Sequence, residues 1–191
     1  HNRPFWMGIF DLDGFKAIND VYGHIVGDRL LCAIVDRAEK IDLEGVTFGR
    51  IGGDEFIAIL PGDLTEEQIK RLSKDSIEAI SRPYAIDSMQ LTIGASAGFS
   101  HFPSMGCSSA QLYEKADYAL YKAKVHHRGQ CVLFDKAEDQ EMKQAIEIER
   151  ELREADLEGE LFLLFQPQFS PEQQRVVGFE ALARWQSPKL G

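Results

Sequence analysis

Two adjacent glycines between two short apolar runs constrain this chain more than any other feature. Residues 46–51 and 55–60 each have the length and content of a strand, and Gly52-Gly53 lies between them. Strands joined by so short a link run antiparallel, so the sequence predicts a hairpin with its turn at the glycines. Upstream, residues 5–10 are apolar at every position, as in a strand covered on both faces in the middle of a sheet. That run stops at Asp11-Leu12-Asp13. Helical spacing follows over 15–21 and over 28–40, where Leu30, Leu31, Ile34, Val35 and Ala38 recur at steps of three and four. Pro61-Gly62-Asp63 ends the second hairpin strand, and Thr65 with Gln68 forms a capping box that opens a helix through Ile80. Residues 89–99 predict another strand. Ser108 or Ser109 caps a helix to about His126, and residues 131–134 close the sheet. Helices between strands, with at least one antiparallel hairpin, define an α+β fold, an α/β sandwich on a mixed central sheet, rather than a doubly wound parallel sheet.

Residues 136–160 differ. They carry ten acids against four bases, no proline and one glycine, and predict a long linker helix. Ala145, Ile148, Leu152 and Ala155 make a short stripe that serves equally a solvated helix or a coiled coil. Beyond Gly159, residues 161–166 and 176–182 read as strands. The organisation is therefore 1–135, a linker at 136–160, and the beginning of a further domain at 161–191.

The formal charge of -10 excludes a general nucleic-acid binder, whose footprint is basic. No apolar run approaches the roughly 18 residues of a membrane span, and residues 5–10 are too short, with no basic flank, for a signal peptide. Cys32, Cys107 and Cys131 lie far apart without metal-ligand spacing. They read as free thiols of a reducing compartment, so a cytoplasmic location is expected.

Asp11 ends a buried strand and Asp54 follows the glycines of a turn. Turn chemistry accounts for either alone. Together with Glu55 and the backbone carbonyl of Leu12 they supply hard oxygen ligands of the kind Mg²⁺ takes, one or two carboxylates completed by substrate phosphates. Gly52 and Gly53 leave their backbone open to a triphosphate.

Three blocks carry a resemblance. Residues 11–28, Asp-Leu-Asp-Gly-Phe-Lys-Ala-Ile-Asn-Asp-Val-Tyr-Gly-His-Ile-Val-Gly-Asp, residues 50–56, Arg-Ile-Gly-Gly-Asp-Glu-Phe, and residues 116–124, Ala-Asp-Tyr-Ala-Leu-Tyr-Lys-Ala-Lys, resemble the successive signatures of GGDEF diguanylate cyclases. The resemblance implies a nucleotidyl-cyclase-like palm that condenses two GTP into cyclic di-GMP, with Mg²⁺ or Mn²⁺ as cofactor and a second GGDEF domain as partner. It implies that Asp11, Leu12 (through its carbonyl) and Asp54 hold the metal, and that Asn19 and Asp28 read guanine. Lys16, Gly52, Gly53, Lys124 and Arg128 would meet the phosphates, and Asp54 and Glu55 would serve catalysis, Glu55 near the attacking 3'-hydroxyl.

The chain departs from that family in four places. The usual Asp-x-Leu-Thr-Gly-Leu-x-Asn-Arg segment does not precede Asp11, so the chain alone is expected to be weakly active or inactive and mostly monomeric. Leu43 and Val46 stand where many members carry an inhibitory Arg-x-x-Asp, so product feedback there is not expected. His127-Arg128-Gly129 replaces Gly-Arg-Asn, which moves the helix cap and puts the aim of Arg128 in question. Gly14 replaces a bulkier residue. Finally, Phe165-Gln166-Pro167 and residues 177–185, Val-Gly-Phe-Glu-Ala-Leu-Ala-Arg-Trp, resemble the opening of an EAL cyclic di-GMP phosphodiesterase. There Glu180 would bind metal while Gln166 and Arg184 touch the dinucleotide, although these residues alone make no working phosphodiesterase. Two functions therefore stay open for the first domain: a cyclase, or a GTP-binding regulator of an adjacent EAL domain.

Overall fold

The computed structural model describes residues 3–38, 40 and 45–191. It divides into two compact units, residues 1–139 and 140–191. In the first, five strands form one sheet in the order β2-β3-β1-β6-β7. Strand β1 (Phe5–Asp13) is central, and every residue from Trp6 to Leu12 is buried, as its unbroken apolar run requires. The glycine-linked hairpin is β2 (Thr47–Gly52) and β3 (Glu55–Pro61), antiparallel with a register shift between Arg50 and Gly52. Strand β6 (Gly94–Phe102) pairs antiparallel with β1 on its other edge, and β7 (Cys131–Leu133) runs parallel to β6, so the sheet is mixed. The strand expected over 89–99 is two: β5 (Met89–Leu91) instead forms a small hairpin with β4 (Tyr84–Ile86), and β6 begins only at Gly94. A sequence pattern alone does not show that change of partner.

Alternation along β1 assigns the helices to faces. Trp6, Phe10 and Leu12 join a core with Phe15 of α1 (Phe15–Tyr22), Leu30, Leu31 and Ile34 of α2 (His24–Ala38) and Ile69, Ile77 and Ile80 of α3 (Glu66–Ile80). Ile9 points the other way and packs with Ala116 and Leu120 of α4 (Ser109–His126). Each Leu, Ile or Phe among these, fully buried, contributes about 1.5–3 kcal/mol of transfer free energy. The capping box on α3 is complete, with Thr65 accepting from the Gln68 amide and Gln68 from the Thr65 amide. Ser108, not Ser109, caps α4.

Helix α5 (Lys136–Glu154) ends six residues before the expected limit, because Asp156 caps a separate short helix, α6 (Leu157–Glu160). In the second unit β8 (Leu161–Ser170) and β9 (Arg175–Trp185) form an antiparallel hairpin, longer than the two runs read from the sequence. Among the described residues no helix is long and apolar enough to cross a membrane.

Candidate active site

The carboxyl end of β1 is where the elements of the first unit converge. Period-two alternation puts Asp11 and Asp13 on the face that Ile9 shows to α4, with Leu12 turned into the core on the other face. Antiparallel pairing sets Glu55, the first residue of β3, directly across from Asp11. The Leu12 amide donates to the Asp54 carbonyl at 3.2 Å, which ties the hairpin turn to the strand end. Arg50 Nε donates to the Gly53 carbonyl at 2.9 Å and braces the turn from within. Gly53 has φ +54 and nothing within 4 Å of an added Cβ, so its backbone faces open space.

Asp11, Leu12, Gly14, Lys16, Asp54, Lys124 and Arg128 share one cleft of about 340 Å³, with Asp13 and Phe15 completing its wall. Of the residues expected from the sequence, this brings together the metal ligands and all three basic phosphate ligands. Lys124 Nζ lies 2.7 Å from Asp11 Oδ2. Burial nevertheless raises the Asp11 pKa above the usual carboxylate value, outweighing the Lys124 contact, and the negative charges of Asp54 and Asp13 push the same way. Glu55 is raised as well, first by burial and then by Asp11 and Asp117. Acids that resist ionising together mark a place where a cation is favourable.

Asn19 and Asp28 lie on α1 and α2, apart from the residues that line the cleft. Asn19 is packed against Gly27: a Cβ there would stand 1.9 Å from Asn19 Oδ1, a buried atom with no hydrogen-bond partner. Gly14, whose substitution had no evident meaning in sequence, has φ +86, and α1 starts there without a side-chain cap or an acid in its first turn. The Ala17 amide donates to the Gly14 carbonyl at 3.0 Å, and the Phe15 and Lys16 amides open the helix without a side-chain cap. The altered end of α4 behaves as its spelling implies. His127 is not left-handed, and Gly129, with φ +78, makes the turn two residues later.

The sequence reading missed Asp13 and Ser96. Asp13 accepts from Arg128 Nε at 3.1 Å and from Ser96 Oγ at 3.0 Å, and Ser96 Oγ accepts from the Gly129 amide at 3.0 Å. Only the two-residue step from Asp11 signals Asp13, and Ser96 carries no signal. Leu43, half of the absent inhibitory pair, lies outside the described residues. In the second unit Gln166 and Glu180 are direct cross-strand neighbours, while Arg184, opposite Phe162, donates to the Ala183 carbonyl at 2.9 Å.

Comparison with known proteins gives this arrangement its class. The family model for the diguanylate cyclase, GGDEF domain, matches residues 1–130. The chain belongs to that family. It is 34% identical to MucR of Pseudomonas aeruginosa, a bifunctional diguanylate cyclase/cyclic di-GMP phosphodiesterase, over 100% of its own length and 28% of that protein's. It is 31% identical to PdeR of Escherichia coli, a cyclic di-GMP phosphodiesterase, again over 100% of this chain and 28% of the relative. The chain therefore spans little more than a quarter of these curated relatives. The X-ray structure of an EAL/GGDEF domain protein from M. capsulatus matches at 33% identity with a TM-score of 0.65, covering 70% of this chain and 86% of the other.

Proposed function

We propose that the first unit condenses two GTP molecules into cyclic di-GMP by metal-dependent nucleotidyl transfer. One observation carries the reading: three carboxylates and three basic side chains line a single cleft beside an open glycine turn. The donor set suits Mg²⁺ or Mn²⁺. Two carboxylates, Asp11 and Asp54, with the Leu12 carbonyl are hard oxygen ligands. Among the described residues no group of three or more His, Cys, Asp or Glu could hold a metal, so the protein would supply only these ligands and water and phosphate would complete the set. When bound, the metal supplies charge stabilisation at the reacting phosphate.

The chain's own residues do the rest. Lys16, Lys124 and Arg128 neutralise and orient the triphosphate, aided by the amides of Gly52 and Gly53. Asn19 and Asp28 read guanine through its polar edge. Glu55, whose raised pKa brings it closer to a proton acceptor's working range, stands near the incoming 3'-hydroxyl. The product is two-fold symmetric and each domain offers one such cleft, so two domains must face one another.

The β8–β9 hairpin is the opening of an EAL domain in this proposal. Gln166 and Glu180 sit opposite each other on it, and similarity to MucR and PdeR runs the whole length of the chain.

The test uses the longest form of the protein that its gene encodes. Incubated with GTP and Mg²⁺, it is expected to yield cyclic di-GMP by chromatography. Asp54→Ala is expected to lower the yield at least 100-fold, on the order of losing a principal electrostatic stabiliser, with an unchanged circular dichroism spectrum. GTP binding without product in that form would favour the regulatory reading, and a normal rate in Asp54→Ala would remove the metal assignment.

A further inference from the structure

Two acids, Asp11 and Asp13, end the same strand on the same face, yet their surroundings differ. Asp11 faces Lys124, Asp54 and Glu55. Both oxygens of Asp13 are already engaged by the protein. Oδ1 accepts from Arg128 Nε at 3.1 Å and Oδ2 accepts from Ser96 Oγ at 3.0 Å. The Ser96 hydroxyl, fully buried on β6, in turn accepts from the amide of Gly129, the residue after Arg128. The bonds close a ring: Asp13 to Arg128, along the chain to Gly129, to Ser96 and back to Asp13. Gly94, paired with Asp13 across the strands, leaves room for it, since a Cβ there would stand 3.3 Å from Oδ2.

The energetics point to geometry rather than stability. The Arg128 side chain is 67% exposed, and an ion pair with one partner so open contributes little to folding. A guanidinium fixed at Nε keeps its remaining N–H groups for another acceptor, and its planar fork loses less entropy when one arrives. Backbone bonds close the turn after α4, from the Gln130 amide to the His127 carbonyl and from the Ala97 amide to the Gln130 carbonyl, each at 3.0 Å, but they leave the direction of the Arg128 side chain to Asp13, in a turn made by the permissive Gly129.

We infer that Asp13 and Ser96 are positioning residues that hold Arg128 toward the triphosphate by clamping both its side chain and the backbone that follows it. The inference rests on the cyclase reading, in that it takes Arg128 as a phosphate ligand.

Two measurements on the chain separate its failure from failure of that reading. The first needs no nucleotide. The Arg128 Nε–H, assigned by nuclear magnetic resonance through loss of its signal in Arg128→Ala, is expected to exchange slowly with water in the wild type and at least tenfold faster in Ser96→Ala and Asp13→Asn. Ser96→Ala removes one atom from a strand and keeps the fold, which melting checks. Equal exchange in wild type and both variants overturns the clamp. The second is GTP titration with Mg²⁺ by calorimetry. Ser96→Ala and Asp13→Asn are each expected to weaken binding about tenfold, the scale of one hydrogen bond to a charged group. Neither is expected to weaken it further in an Arg128→Ala background, where a merely structural defect would persist. Additive losses overturn the inference. Absence of GTP binding by the wild type, with the exchange difference intact, overturns the cyclase reading and the stated purpose of the clamp while leaving the clamp itself standing.

Discussion

A methyl group on Gly27 would stand 1.9 Å from Asn19 Oδ1 and 3.2 Å from the Phe15 ring, so this glycine is what allows Asn19 its place. Alanine is the better helix residue by about 1 kcal/mol, and the displaced group is the end of a side chain that can move. Gly27→Ala is therefore expected to melt within a few degrees of wild type, yet to bind GTP about tenfold more weakly because Asn19 is pushed off the base. Melting and calorimetry on the same samples check this, and an unchanged GTP affinity would discharge Asn19 as a guanine reader. A second residue contributes to acid stability near the start of β1. His101 packs at a tilt against the Trp6 ring and bonds Ser104 Oγ through Nδ1 at 2.8 Å, and burial lowers its pKa below the ordinary 6.5, against an opposing pull from Asp63. The fold prefers neutral imidazole, so its contribution is complete above about pH 6.5 and declines as pH falls toward the lowered folded-state value. His101→Phe, which keeps a ring on Trp6, is expected to lose less melting temperature than wild type between pH 7.5 and 5. At this scale the sequence shows Asp11, Asp54 and the basic residues plainly, because their spacing within short motifs survives in the linear chain. It conceals Ser96 and most of Asp13, because what defines them is a bond across 83 residues.

Helix α4 brings Lys124 and Arg128 to the strand end, and Gly98 decides how closely it lies. A Cβ at Gly98 would meet Leu120 N at 2.1 Å and Ala116 O at 2.2 Å. These are backbone atoms of a helix, which cannot rotate aside as a side chain can. Gly98→Ala is expected to cost about 1–3 kcal/mol in denaturant unfolding, the range of core overpacking. It should also reduce cyclic di-GMP formation while the chain remains folded, since lifting α4 moves both basic groups from the cleft. A variant that loses stability but keeps full turnover would show that the height of α4 does not set the site. Most elements were legible from period and caps: β1 from its unbroken apolar run, the β2–β3 hairpin from its glycines, α3 from Thr65 and Gln68. Others depended on tertiary choices. The run after Ile86 splits between a small hairpin and the main sheet, since β5 finds β4 while β6 finds β1. The acidic helix stops at Glu154 because Asp156 caps its own turn, a local contest that charge content does not reveal.

For the molecule as a whole, the proposed chemistry demands two clefts, and each copy of the chain provides one. The reacting 3'-hydroxyl and the phosphate it attacks belong to different GTP molecules, so turnover needs a face-to-face pair, for which a closed two-fold dimer is the usual solution. The pairing stripe read from the sequence is weak. Ile148 and Leu152 are each 40% exposed, and their helix is crowded with acids that repel a second copy at low salt. Encounter rather than chemistry should then limit the rate. At saturating GTP the product formed per mole of chain is expected to rise in proportion to chain concentration, where a preassembled dimer would hold it constant. Raising ionic strength from about 0.01 to 0.15 M shortens the screening length from about 30 to 8 Å and should increase the rate at fixed concentration by easing that repulsion. Fusion of a parallel coiled coil ahead of residue 1 should lift the rate at low concentration and abolish the concentration dependence. Light scattering alongside the product assay follows both quantities. A constant specific activity from dilute to concentrated chain, with scattering that reports a monomer throughout, would contradict the requirement for two clefts.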